Sequence, residues 1–262
     1  MIPRTSIGIP AEIYCRPLVE ILRTKELFEV VLDAPASVAQ KLAKRTLKGA
    51  FLSPIDFARN ASQYRIVPGS AVSSHSGNKS LVLYFRSGAR AVRTLAVPPT
   101  SSSDIVLAKI LLAERFDSEP QIVPVVGGLA SMLARADAAL LSGEAALNAS
   151  SAQPESLDLI EEWVAATDLP YVHGFWCGRE KGLSQEECGQ LSALNSEVAE
   201  WRDDSGRENP APADLFSYDF TEPVQEGIRE FLRYAYYHGI LPDVPELVFF
   251  GSSGADESPM MN

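Results

Sequence analysis

A hydroxyl-rich loop at residues 98–104, PPTSSSD, stands directly before an amphipathic pattern that predicts a helix over residues 105–116. Serine at a helix N-terminus caps free backbone N–H groups, and such groups also attract carboxylate or phosphate. The loop therefore predicts a local anion site formed by Ser101, Ser102 and Ser103. For a serine-rich turn taken alone, a cap that binds nothing is the simpler interpretation. Asp104 would repel a bound carboxylate or accept a contact with the helix dipole.

A second polar segment, SSHSGNKS at residues 73–80, separates predicted strands at residues 65–67 and 81–85. Asn78 and Lys79 could donate hydrogen bonds to a substrate carboxylate, which makes Asn78 a candidate binding residue. A plain surface turn is an equally good interpretation of this segment. His75 lies in the same turn, where an exposed histidine is more often inert than catalytic.

Other polar residues stand where predicted strands end or predicted helices begin. Ser53 follows a short strand at residues 50–52, and Glu144 follows the glycine that ends a buried strand at residues 138–141. Ligand sites of α/β proteins lie at such ends. We therefore expect a group of side chains to face one another across one cleft: Tyr14, Ser53, Ser80, Ser101, Ser102, Ser103 and Glu144.

The elements that must position these residues alternate between strand and helix with short connections, which predicts an α/β fold with parallel sheets flanked by helices. A first unit begins with a strand at residues 7–9, and a second unit starts near Thr94. A helix around residues 38–47 could be capped by Ser37. The stretch 189–214 is polar, acidic and rich in proline, so we expect part of it to be a long surface connection. Two such units would leave a cleft between them.

Composition limits the partners of the chain. Its 262 residues can bury a sizeable core, and a formal charge of −11 argues against nucleic acid or a membrane as principal partner. Any anion site must therefore be local.

Three cysteines without C-x-x-C spacing predict neither disulfides nor a zinc site. A signal-like start and an apolar run of membrane-spanning length are both missing, so we expect a cytoplasmic protein. The sequence also has no glycine-rich nucleotide-binding loop, no nucleophile motif of the α/β-hydrolases and no zinc-binding histidine motif. We therefore expect no metal and no cofactor.

Two longer stretches are more specific than these patterns. They read DAALLSGEAAL at residues 137–147 and DLIEEWVAATDLPYVHGFW at residues 158–176. With shorter pieces such as RPL at residues 16–18 and LSPIDFARN at residues 52–60, the chain resembles the family that contains chorismate dehydratase and dihydroxynaphthoate synthase. Those are enzymes of the futalosine route to menaquinone. The family typically carries DAALLIGDAAL and DLGEEWxxxTGLPFVFAxW, so this chain is a divergent member.

The resemblance implies a fold like that of the class II periplasmic binding proteins, with two α/β lobes and a ligand in the cleft between them. The first lobe would be discontinuous, because the chain would return to it after Trp176. We therefore expect residues 1–88 and 178–262 in the first lobe and residues 89–177 in the second.

The resemblance also implies roles for single residues. Tyr14 falls on the active-site asparagine of the dehydratase motif YLNARPL, and Ser80 falls on the serine of VxSVxL, so both are candidate catalytic residues. A tyrosine cannot copy the paired donor and acceptor of an amide. The Arg and Thr-Ser that are usual in the serine loop fall on Ser102, Ser103 and Asp104. His173 replaces an apolar residue in a strand, and we expect a buried histidine with a hydrogen-bond partner rather than a base.

The activity implied is that of chorismate dehydratase, a carbon–oxygen lyase that forms 3-[(1-carboxyvinyl)oxy]benzoate. Loss of water aromatises the ring, so the protein mainly has to hold a small dicarboxylate and orient the leaving hydroxyl. The alternative is a binding protein, a paralogue that keeps the cleft for a small carboxylate and has lost turnover at Tyr14 and Asp104. The sequence leaves the oligomeric state open.

Overall fold

In a computed structural model of the chain, residues 4–89, 91–98, 102–149, 155–204 and 212–252 are described. The strands in these residues are β1 Thr5–Pro10, β2 Phe28–Asp33, β3 Gly49–Leu52, β4 Tyr64–Ser74, β5 Leu81–Phe85, β6 Thr94–Val97, β7 Gln121–Pro124, β8 Ala138–Ser142, β9 Ser156–Asp158, β10 Tyr171–Arg179 and β11 Ser217–Asp219. The α-helices are α1 Arg16–Lys25, α2 Pro35–Ala43, α3 Pro54–Ala58, α4 Ser102–Phe116, α5 Leu129–Leu133, α6 Gly143–Leu147, α7 Leu159–Thr167, α8 Gln185–Ser192, α9 Leu194–Asp204 and α10 Glu222–Tyr237.

The first sheet has the strand order β11-β4-β10-β3-β1-β2. β1 is parallel to both β2 and β3, whereas β10 runs antiparallel to β3 and β4. The carboxyl ends of parallel strands lie at the same edge of a sheet. The segment after Pro10 and the segment after Leu52 therefore leave from one edge.

The second sheet has the order β7-β6-β8-β5-β9. β6 is parallel to β7 and β8, and β5 is antiparallel to β8 and β9. Because β6 and β8 are parallel, both end at the same edge of this sheet. The chain continues from that edge into α4 after β6 and into α6 after β8. Two mixed sheets flanked by helices confirm the predicted α/β fold.

Strand pairing differs from the predicted division of the chain at two places. β5, which the predicted boundary at residue 88 places in the first lobe, pairs in the second sheet. β10, which the boundary at residue 177 places mostly in the second lobe, lies inside the first sheet. Both strands are almost wholly buried apolar runs. Such runs show no alternation of polar and apolar residues, so their pattern does not reveal which sheet they join.

Helix α1 separates an apolar face from a charged one. Leu18, Ile21 and Leu22 are buried in the first lobe, while Arg16 and Arg23 on the other face are exposed. The helix starts with a proline in its first turn, where no backbone N–H is needed. None of the described helices is both long enough and apolar enough to cross a membrane.

One local prediction was wrong. Ala34 is the N-cap of α2 and offers no side-chain cap, whereas Ser37 lies inside the helix and donates to Asp33 Oδ2 at 2.5 Å.

The stretch 189–214, part of which was predicted to be a surface connection, is largely helical as far as Asp204. A capping box that starts at Ser184 opens α8, and apolar residues such as Leu191 are buried against the first sheet. Residues 205–211 lie outside the described residues, so a surface connection there stays a prediction.

Helix α10 lies unusually close to the turn before β10. A Cβ atom on Gly227 would lie 2.5 Å from the carbonyl oxygen of Pro170. That oxygen also accepts a hydrogen bond from Trp163 Nε1 at 3.3 Å. The Trp163 ring packs edge-on against Phe231 of α10. The lack of a side chain at position 227 therefore allows α10 to pack directly against Pro170, the residue that α7 also contacts through Trp163.

We predict that Gly227→Ala destabilises the protein by about 1–3 kcal/mol, because the added methyl must push α10 away from Pro170. Gly189→Ala is the matched control, since Gly189 also lies within a helix and no atom lies within 4 Å of its added Cβ. We expect this control to gain about 0.5–1 kcal/mol from helix propensity. Urea unfolding would measure both changes, and equal stability of the two variants would contradict the close packing.

Candidate functional site

Aromatic rings fill the space where the two sheets meet. Tyr14, on the turn after β1, stacks on the His173 ring with centroids 4.8 Å apart. Tyr171 meets the same imidazole edge-on at 5.0 Å and donates a hydrogen bond to Asp104 Oδ1 at 2.9 Å. All four residues are buried. Because Asp104 belongs to the first turn of α4 and the rings belong to the first lobe, this cluster joins both sheets.

His173 is buried and takes part in a hydrogen-bond relay. Its Nε2 lies 2.9 Å from Ser74 Oγ, and Ser74 Oγ accepts from Asn78 Nδ2 at 2.9 Å. Ser74 therefore has its own proton available for Nε2. Burial lowers the pKa of His173 to about 3, so the ring stays uncharged at neutral pH. The prediction of a buried histidine with a partner is confirmed.

Asn78 uses its whole amide within the protein. Nδ2 donates to Ser74 Oγ and to the carbonyl oxygen of Leu215, and Oδ1 accepts from both the backbone N–H and the hydroxyl of Ser80. An amide side chain offers two donors and two acceptor sites, so none is left over. In this structure Asn78 and Ser80 fix the connection between β4 and β5. A role for either in binding or catalysis remains a prediction.

Ser53 acts as a helix cap. Its hydroxyl oxygen accepts from the backbone N–H of Asp56 and donates to the Asp56 carboxylate at 2.8 Å. Arg59 bridges this carboxylate and the hydroxyl of Ser102, at 3.0 and 3.1 Å. The two short contacts of Arg59 tie α3 of the first lobe to the start of α4.

Ser103 makes a second tie between the same helices. Its Oγ accepts from the backbone N–H of Ile55 at 3.1 Å, and the serine is fully buried. Ser102 and Ser103 thus accept hydrogen bonds from groups of α3 and its C-cap. An anion site in this loop stays a prediction. Ser101 lies outside the described residues.

Glu12 was not among the predicted site residues. It follows β1 and is largely buried, and its carboxyl makes no hydrogen bond or ion pair with any described residue. One of its oxygens, Oε2, would lie 3.3 Å from a Cβ on Gly143, so that glycine leaves room for it. Burial, and then the nearby charge of Asp104, raise the pKa of Glu12 to about 7.

The Tyr14 hydroxyl is the other unpaired polar group beside this carboxyl. It makes no hydrogen bond with the described residues, although the backbone oxygen of Tyr14 accepts from Tyr218 at 2.9 Å. Burial, followed by the charge of Glu12, holds the pKa of Tyr14 well above its usual range. At neutral pH the Tyr14 hydroxyl therefore stays protonated and can donate a hydrogen bond but cannot transfer its proton. The Glu12 carboxyl can transfer its proton to a ligand.

Glu12 lines a cavity of about 410 Å³, whose walls come from residues 10–32 of the first lobe and from Glu144 of the second. Arg16 of α1 and Glu144 of α6 also line the cavity and form an ion pair with each other across the two lobes. The backbone N–H of Gly143 donates to the carbonyl oxygen of Ser80 at 2.7 Å, which holds the start of α6 against β5. The cavity therefore combines a proton donor, a guanidinium and a second carboxylate at one place.

Among the predicted site residues in the described part of the chain, Glu144 lines the cavity, whereas Tyr14, Ser53, Ser80 and Ser103 are buried and do not line it. The expectation that they face one another across one cleft stays a prediction. Within the described part of the chain, no group of three His, Cys, Asp or Glu side chains could hold a metal ion. Glu12 could have been found from sequence, because a carboxylate stands there between a predicted strand and the RPL motif.

The chain is similar to known proteins in sequence and in fold. A sequence model of the family described as menaquinone biosynthesis matches residues 5–208. A solved structure from Archaeoglobus fulgidus is 19% identical with a TM-score of 0.71, and the match covers 91% of this chain and 98% of that one. A protein from Bordetella bronchiseptica is 12% identical with a TM-score of 0.65, over 88% and 89% of the two chains.

The periplasmic aliphatic sulphonate binding protein of Escherichia coli is 13% identical with a TM-score of 0.56, over 94% of this chain and 96% of that one. At these identities the structural matches show the fold alone. They establish that the two lobes are arranged like those of periplasmic binding proteins. The family model covers well over half of the residues. The chain therefore belongs to the menaquinone biosynthesis family.

Proposed function

We propose that this protein is a hydro-lyase that converts chorismate to 3-[(1-carboxyvinyl)oxy]benzoate. The observation that carries the proposal is Glu12, an unpaired carboxyl at a cavity between the lobes, with a pKa of about 7. A general acid works best when its pKa lies near the working pH. A protonated carboxyl at this cavity can give its proton to a leaving oxygen, which is what the elimination of water requires.

Elimination of water needs a proton at the leaving oxygen and an acceptor for the proton on the neighbouring carbon. In the proposed reaction the C–O bond breaks as Glu12 protonates the oxygen, which leaves as water. The C–H proton passes to the substrate's own enolpyruvyl carboxylate, as the family resemblance implies. Glu12 then regains a proton from solvent through the cavity. The ring becomes aromatic, so most of the driving force lies in the substrate.

Tyr14 has a supporting role in this scheme. Its hydroxyl is unpaired and stays protonated, so it can donate a hydrogen bond to the substrate beside Glu12. The ring position is fixed by the stack on His173, which the Asn78–Ser74 relay holds in turn. Asn78 and Ser80 act in the proposal by positioning this relay.

A binding protein for a small carboxylate is the second candidate. It is favoured by the position of Asp104, whose carboxylate is buried in the same cluster as Glu12. A negative charge there opposes a dianionic substrate. It is favoured also by the Tyr14–His173 stack, which occupies the place that the resemblance assigns to an asparagine and an apolar residue. Incubation of the purified protein with chorismate, with the benzoate product followed by chromatography, separates the two candidates.

The first functional prediction concerns turnover by Glu12 variants. Glu12→Gln should lower kcat by about 10²–10⁴-fold, because it removes the proton donor while leaving the shape of the side chain. Wild-type activity should fall as the pH rises through 7, since only protonated Glu12 can donate. Glu180→Gln is the control, an exposed glutamate after β10. Unchanged kcat in Glu12→Gln would rule out this role.

The second functional prediction concerns stability and needs no substrate. The pKa of Glu12 is raised from 4.5 to about 7 on folding, so its stabilising contribution is complete below pH 4.5 and lost as the pH rises through 7. At pH 8 the wild type should carry a penalty of up to about 3 kcal/mol that Glu12→Gln lacks. Thermal unfolding at pH 5 and pH 8 measures this. Glu180→Gln is the control, because its side chain is exposed and does not line the cavity.

The third functional prediction separates the enzyme from the binding protein. If the protein is an enzyme, Tyr14→Phe should lower kcat by about tenfold or more through loss of one hydrogen-bond donor. Tyr14→Asn should then be no better than wild type. If the wild type binds chorismate without turnover and Tyr14→Asn gains turnover, the second candidate is correct. Single-turnover assays at saturating chorismate give both results.

A further inference from the structure

The charged face of α1 borders the cavity next to Glu12. Arg16, Glu20 and Arg23 all line it, and their spacing of four and three positions places them on one face of the helix. Seven residues span two helical turns, so Arg16 and Arg23 start about 10 Å apart along the axis. Val19 of the same helix and Leu32 of β2 supply apolar surface to the cavity.

The two arginines differ in their partners. Arg16 is paired with Glu144 of the second lobe. Arg23 makes no hydrogen bond or ion pair with any described residue, even though Glu20 is only one turn away. In a protein with a formal charge of −11, this guanidinium supplies local positive charge to a cavity that three glutamates also line. The planar fork of a guanidinium matches the geometry of a carboxylate.

In the ion pair of Arg16 and Glu144, a protein carboxylate occupies the position at Arg16 that a ligand carboxylate could take. The ion pair places a carboxylate against the Arg16 guanidinium at the cavity wall. Both side chains are about half exposed, at 50% and 57%, so a carboxylate in the cavity can reach Arg16 and compete with Glu144. Such an exposed pair is worth little on its own, so displacing it costs little.

We propose that Arg16 and Arg23 form a two-point anchor for a small cyclic dicarboxylate in this cavity, with Glu144 as the carboxylate that the ligand displaces from Arg16. The ring of the ligand lies between Val19 and Leu32, and its reacting edge faces Glu12. The assignment rests on the proposed function for the placement of the reacting edge. It goes beyond the proposed function because it names Arg16 and Arg23 as the residues that make the cavity prefer a dicarboxylate to a monocarboxylate.

The test compares binding of isophthalate, a ring with two carboxylates, and benzoate, a ring with one, by titration calorimetry. The wild type should prefer isophthalate by about tenfold, the contribution of one charged Arg–carboxylate contact. Arg23→Gln should lose this preference, and Glu144→Gln should bind isophthalate more tightly than wild type. Arg135→Gln is the matched control, an exposed arginine that makes no ion pair with the described residues. It should retain the wild-type preference.

The assignment is overturned if Arg23→Gln keeps the wild-type preference, or if the wild type does not distinguish the two probes. Arg23 is exposed, so its variant should fold, and equal thermal unfolding of both arginine variants checks this. The preference should shrink at high salt, because exposed charges are screened. Failure of the proposed function looks different: isophthalate binding would depend on Arg23 while chorismate stays unconverted.

Discussion

Two carboxyl groups from different lobes meet in poorly solvated space, and the rest of the site depends on how their charges are accommodated. Asp104 lies in the first turn of α4 and accepts the Tyr171 hydroxyl, so its negative charge is stabilised by the helix and by a hydrogen bond. Glu12 has neither form of support. A like charge nearby and burial both disfavour its ionised form, so Glu12 is the group that keeps a proton.

The aromatic rings around these carboxyls keep them in a fixed and dry environment. Tyr14 is stacked on a neutral imidazole, and that imidazole is held by Ser74, which Asn78 holds in turn. His173 Nε2, Ser74 Oγ and the Asn78 amide all have hydrogen-bond partners within the protein. The unpaired groups, the Tyr14 hydroxyl and the Glu12 carboxyl, are therefore set apart from the relay and available to a ligand. A satisfied network around a few unsatisfied groups is typical of sites that position a substrate.

The same fold serves proteins that only bind and proteins that also react, so function cannot be argued from the lobes alone. In this chain the difference rests on a single proton donor at the cleft. The cavity is lined by charged groups of both signs, with guanidinium groups on α1 and carboxyls on both lobes. An overall charge of −11 does not prevent anion binding here, because screening limits distant charges while Arg16 and Arg23 border the cavity directly.

The sequence by itself determined the fold class and the family. Strand–helix alternation and the stretches at 137–147 and 158–176 carry that information, since periodicity and motif wording are local properties. Local patterns also missed some elements: the cap of α2 and the helices within 189–214, where exposed helix faces looked like a polar connection.

Only the tertiary structure decided which sheet receives β5 and β10, because buried apolar runs look alike whichever sheet they join. Tertiary contacts likewise decided that Asn78 is fully used within the protein and that Glu12 is not. The pKa of Glu12 depends on burial and on Asp104, a residue far away in sequence. Desolvation and charge proximity exist only after the lobes come together, so no local pattern could reveal them.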